Sequence, residues 1–69
     1  MNRDPVISSN VASVGYEPYT MVLEVEYIHG GVYQYFDVPE GVYREMMASE
    51  SIGKFLNQHV KGSYRYVRL

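Results

Sequence analysis

The stretch Thr20-Met21-Val22-Leu23-Glu24-Val25-Glu26-Tyr27-Ile28-His29-Gly30-Gly31-Val32-Tyr33-Gln34-Tyr35-Phe36-Asp37-Val38 decides the fold. Met21, Leu23, Val25 and Tyr27 alternate with Val22, Glu24 and Glu26, the two-residue period of a strand with one face buried. Val32 to Val38 reads as a second strand, and His29-Gly30-Gly31 between them as a hairpin turn. A two-residue Gly30-Gly31 turn would set Glu24 against Asp37, a like-charge pair, and Gln34 beside the inward-facing Tyr27. A three-residue turn, Ile28-His29-Gly30 with Gly30 left-handed and Gly31 opposite Tyr27, instead pairs Val25 with Tyr33, Leu23 with Tyr35 and Glu24 with Gln34. This second register gathers the apolar side chains on one side, so Tyr33 and Tyr35 are expected in the core with Leu23, Val25 and Tyr27. Tyr33→Ala is then expected to cost roughly 3 kcal/mol or more.

Outward from the hairpin, Val6 to Tyr16 reads as a first extended segment interrupted by Ser8, Ser9, Asn10 and Ser13, and Glu17-Pro18 closes it as a turn. Met1 to Pro5 is expected to be a loose terminus, which leaves residues 6–69 as one domain. Past the hairpin the period changes. Asp37 followed by Glu40, with Pro39 in the first turn, has the form of a capping arrangement for a helix through about Ser49, with Val42, Tyr43, Met46 and Met47 as its apolar stripe. A second helix follows, capped by Ser49 or Ser51, with Ile52, Phe55, Leu56 and Val60 on one face and Gly62 as its stop. Gly53, in its first turn, suggests close packing by a neighbouring backbone, that of the hairpin or the first helix. Tyr64 to Leu69 alternates aromatic and basic residues and reads as a terminal strand on the sheet edge. The expected fold is α+β: a three-stranded antiparallel meander packed against two short helices, with a short C-terminal strand.

Sixty-nine residues, 46% of them hydrophobic and eight of them tyrosine, allow one core and no more. The absence of cysteine excludes disulfides and thiolate zinc sites and fits a reducing, cytoplasmic setting. Neither an apolar leader nor a membrane-spanning run is visible. The net charge of −2 conceals a division. Residues 1–50 hold all eight acids and only Arg3 and Arg44, whereas residues 51–69 hold Lys54, Lys61, Arg65 and Arg68 and no acid. Such a split marks either an anionic partner or a segment that faces its own acidic strands.

Enzymatic readings fail on missing partners. No glycine spacing forms a phosphate loop, and His29 and His59 lack the spaced second ligand that a metal site requires. Ser8 and Ser9 come with no arrangement of base and orienting acid. No cofactor is expected. Ser51-Ile52-Gly53-Lys54 at a helix start could hold an anion, although capping by Ser51 accounts for it.

Ser8-Ser9, Val14-Gly15-Tyr16, the hairpin running into Tyr33-Gln34-Tyr35, Val38-Pro39, Ser51-Ile52-Gly53-Lys54-Phe55 with Asn57, and Tyr64 to Arg68 together resemble the KTSC domain family, over nearly the whole chain. That family is named for the C-terminus of some lysyl-tRNA synthetases. The resemblance implies a small non-catalytic module of unknown function, for which RNA binding is suggested by the synthetase fusions. Two functions are therefore carried forward. One is weak binding of RNA, tRNA included, through Lys54, Lys61, Arg65 and Arg68 with Asn57 and Tyr64. The other is a protein–protein or accessory role using a sheet edge or the acidic face with Glu24 and Glu26. Monomer and homodimer both stay open. If Tyr64 to Arg68 is a strand, Tyr64, Tyr66 and Arg68 share one face and Arg65 and Val67 the other, so the four cations are not expected to make a single continuous patch with both tyrosines.

Overall fold

The computed structural model describes residues Met1–Leu69. Five strands, β1 (Asp4–Pro5), β2 (Val11–Glu17), β3 (Val22–Tyr27), β4 (Val32–Tyr35) and β5 (Tyr66–Arg68), form one sheet. All neighbouring pairs are antiparallel and the order in space follows the order in sequence. Between β4 and β5 run helix α1 (Glu40–Ala48) and helix α2 (Ile52–Phe55), the latter continuing as a π-helical turn over Leu56–Val60. The chain is thus an α+β domain of the expected kind, with one further strand. No helix is long and apolar enough to cross a membrane.

The hairpin has the three-residue turn. Tyr27 N–H donates to Gly31 O and Gly30 N–H to Tyr27 O, and Val25 lies opposite Tyr33, Leu23 opposite Tyr35 and Glu24 opposite Gln34. Gly30 and Gly31 both take positive φ, 108° and 90°, which a side chain would resist. The inner face supplies Val11, Val14, Leu23, Val25 and Tyr35, and the helical segment covers them with Met46, Leu56 and Val60, while Val38 enters from the connecting loop. Tyr16 stacks on Tyr43 of α1, ring centroids 4.8 Å apart, and donates its hydroxyl to Val38 O. That contact ties the sheet to the first helix.

Four details depart from expectation. Within the expected loose terminus, Asp4–Pro5 is a short strand. Ser8 Oγ accepts from the N–H groups of Asn10 and Val11, making a turn inside the expected first segment that leaves Val11–Glu17 as its strand and folds Asp4–Pro5 back onto Val14 and Ser13. Second, Asp37 does not cap α1. It sits at φ 59° outside the helix, Pro39 occupies the cap position without a side-chain bond, and Asp37 instead accepts from Arg65. Third, Gly53 is packed by the side chain of Asn10, 3.2 Å from where a Cβ would be, and not by a backbone. Fourth, Met47 points to solvent, leaving Met46 as the buried residue of its stripe.

Met1–Arg3 crosses the outer face of the sheet over Gly15, where a Cβ would lie 2.5 Å from the Asn2 carbonyl oxygen. The backbone at Asn2 cannot yield as a flexible side chain would, so Gly15→Ala is expected to lift this strap and cost about 1–3 kcal/mol. Urea denaturation of the variant, with amide exchange along residues 2–6, checks both effects.

Candidate functional site

Strand alternation sends Tyr27, Tyr33, Tyr35 and Tyr66 to the inner face, but the helical segment does not cover all of them. α2 and the π turn stand off from this end of the sheet and leave a groove of about 690 Å³. Tyr27, Tyr33, Tyr35 and Tyr66 line the sheet side, Gly53, Asn57 and Lys61 the helical side with Asn10 packed on Gly53, and His29 joins them from the hairpin turn. Tyr35 forms the floor and is 2% exposed, whereas Tyr66 on the rim is 58% exposed. Tyr33 is half-buried between them. The centroid of Tyr66 lies 5.8 Å from that of Tyr33 and 5.9 Å from that of Tyr35, and Tyr27 meets Tyr33 edge-on at 5.4 Å. These are separations at which aromatic pairs attract.

The hydroxyls of Tyr27 and Tyr35 share a hydrogen bond of 2.8 Å. Burial raises the pKa of both above the ordinary phenol value, so the pair stays neutral at any physiological pH. Cations complete the rim. Lys61 Nζ sits 4.7 Å from the centroid of Tyr27, and the Arg68 guanidinium 5.8 Å from that of Tyr33. No acidic residue lines the groove. The site combines aromatic faces, side-chain amides and positive charge.

Of the six residues singled out from sequence, Asn57 and Lys61 line this groove, and Arg68 lies beside it over the ring of Tyr33. Tyr64 packs against the edge of the core. Arg65 lies over Phe36 and pairs with Asp37 at 3.2 Å, since its position on β5's lead-in points away from the tyrosines. Lys54 lines a separate shallow depression with Glu50 and Gln58. The cations therefore do not make one patch. Neither do they face the acidic strands as a group: among the four, only Arg65 forms an ion pair.

The strands' own acids are engaged elsewhere. On the outer face Glu24, 4% exposed, is bound by Arg3 and by Gln34 Nε2 at 2.9 Å, while Ser13 Oγ accepts from Arg3 and donates to Glu26. The Glu24 carboxylate is thus engaged within the chain. Nor is there a cluster of His, Cys, Asp or Glu that could hold a metal ion. Sequence reasoning missed Asn10, Tyr27, His29 and Tyr66 as groove residues, and placed Tyr33 and Tyr35 in the core alone. The glycine in the first turn of α2, which admits Asn10, was the signal that pointed there.

The model of the KTSC domain family matches residues 7–64. The chain belongs to that family. A crystal structure of a KTSC domain protein from Yersinia pestis superimposes with a TM-score of 0.96 at 35% identity, covering 99% of this chain and 96% of that one. A protein of Stutzerimonas stutzeri is 39% identical over 100% of this chain and 99% of its own length. A lysine–tRNA ligase of Nostoc sp. is 34% identical over 88% of this chain, a match that spans 11% of the ligase. A KTSC domain thus occurs both at nearly full length in short proteins and as a small part of a synthetase.

Proposed function

We propose that this KTSC domain is a non-catalytic RNA-binding module that holds a single-stranded segment in the tyrosine groove. The supporting observation is the acid-free groove itself, with stacking surfaces between two cations. Single-strand binders combine a positive groove that tracks the backbone with aromatic faces on which bases stack. The kinship with a segment of lysine–tRNA ligases supports RNA as the nucleic acid. Binding to a protein through the outer acidic face has less support, because Arg3 already occupies Glu24.

The test is a titration of labelled protein with tRNA, single-stranded RNA and duplex DNA at low and physiological salt. Binding to the single strand should strengthen as salt falls, with amide shifts centred on the groove. Lys61→Ala and Arg68→Ala should each weaken it severalfold and lower the salt slope by about 0.7, the value of one released counterion on a single strand. Arg65→Ala and Lys54→Ala should leave it unchanged. Absence of any RNA-induced shift at low salt would refute the proposal.

A further inference from the structure

The wall facing the tyrosines carries more polar chemistry than electrostatic attachment needs. Asn10 and Asn57 both line the groove and both are exposed to it. Asn10 is fixed through its backbone, with its N–H on Ser8 Oγ and its carbonyl accepting from Ile28. Its side chain rests on Gly53, at a helix position where any Cβ would stand 3.2 Å from Nδ2. The amide is therefore seated by packing, and its hydrogen-bonding groups stay free for a ligand. Asn57 lies in the π-helical turn, one residue into a segment closed by Lys61 N–H donating to Leu56 O at 2.8 Å. A π turn is an uncommon distortion found frequently at functional sites.

A tyrosine platform alone would accept any base, because every base has a π face. A carboxamide is different. It presents a donor and an acceptor side by side in fixed geometry, and it rewards a base whose edge offers the complementary pair while penalising one that leaves a group unpaired.

We infer that the groove reads the edge of one unpaired nucleobase within an RNA strand, stacking it against Tyr66 and Tyr33 and testing its hydrogen-bonding edge with the amides of Asn10 and Asn57. Lys61 and Arg68 hold the flanking phosphates, so this inference rests on the RNA-binding reading above.

The test uses tetraribonucleotides carrying one base, A, C, G or U, among otherwise abasic positions, together with a fully abasic strand and the four free nucleoside monophosphates, all at low salt. One base should bind about 10-fold more tightly than the poorest, a difference of about 1.4 kcal/mol. Asn10→Ala and Asn57→Ala should each bring that ratio toward one while leaving the abasic strand's affinity unchanged. Tyr66→Ala should weaken every base-bearing strand by a similar factor, roughly 5- to 100-fold. Equal binding of all four bases, or a preference that survives both asparagine substitutions, would overturn the base-reading inference and leave RNA binding standing. Free monophosphates binding as tightly as the strands would overturn the assignment to a strand. Failure of every strand and of tRNA to bind would end both readings.

Discussion

Tyr35→Ala is expected to remove about 3–5 kcal/mol from the stability of the domain, the usual cost of deleting a buried aromatic ring. Tyr35 is the most buried aromatic residue, opposite Leu23 on β3 and opposite Tyr66 on β5. Its loss empties the floor of the groove and takes away the hydroxyl that Tyr27 bonds. A chain of this length has a total stability of only about 3–10 kcal/mol, so the variant should lose about a third or more of it. Tyr35→Phe separates the two contributions. It keeps the ring and should cost about 1 kcal/mol for the hydroxyl pair alone. Tyr33→Ala should cost less than Tyr35→Ala, because Tyr33 is only half-buried. Urea unfolding followed by circular dichroism ranks the three. A Tyr35→Ala protein as stable as Tyr33→Ala would show that the ring lies outside the core.

The second large effect is on the opposite face. Arg3→Ala leaves the Glu24 carboxylate buried with Gln34 as its remaining side-chain partner, and should cost about 2–4 kcal/mol. Burial by itself would raise the pKa of Glu24. The hydrogen bonds from Gln34 and Arg3 and the guanidinium charge outweigh it, and the net displacement is downward. A carboxyl with a folded pKa below its unfolded value of about 4.3 contributes stability that is fully present above that value and is lost as pH falls through the folded pKa. Wild type should therefore lose this contribution only in acid, below about pH 4. In Arg3→Ala the desolvation stays while the compensation shrinks, so the acid limb should move to higher pH and the neutral-pH stability should drop. Stability measured from pH 2 to 7 for both proteins checks the sign. Superimposable profiles would mean that the strap does not hold Glu24.

The hairpin register was legible from sequence because competing registers differ in kind: one juxtaposes Glu24 and Asp37, the other collects Val25, Tyr33, Leu23 and Tyr35 on one face. The second helix was legible for a similar local reason, with Ser51 accepting from Lys54 N–H and Gly62 at φ 83° marking its two ends. What escaped depends on contacts between distant segments. Nothing near Glu24 in sequence announces Arg3, and nothing near Gly53 announces Asn10. Asp37 has the spacing of a cap, yet Pro39 sits at the helix boundary and Arg65 attracts its carboxylate. The tyrosines were placed on the correct face, but whether a face is covered depends on how far α2 and the π turn extend over it. Alternation sets a side chain's direction and says nothing of what stands above it.

The order of the sheet also bears on how the groove is assembled. β1 to β3 each pair with the strand next in sequence across a short turn, so their contacts close small loops. The pairing of β4 with β5 must instead bridge the entire helical segment. Loop entropy rises only slowly, by about 0.6 kcal/mol for each doubling of length, yet the three exposed residues of β5 bury little to offset it. β5 is therefore expected to join last, after the core of β2 to β4 and the helices has formed. Tyr66 and Arg68 belong to this late-closing strand, so the exposed rim of the groove is built by the one pairing that spans the helices. The groove is therefore complete only when the two ends of the helical excursion have been brought back together.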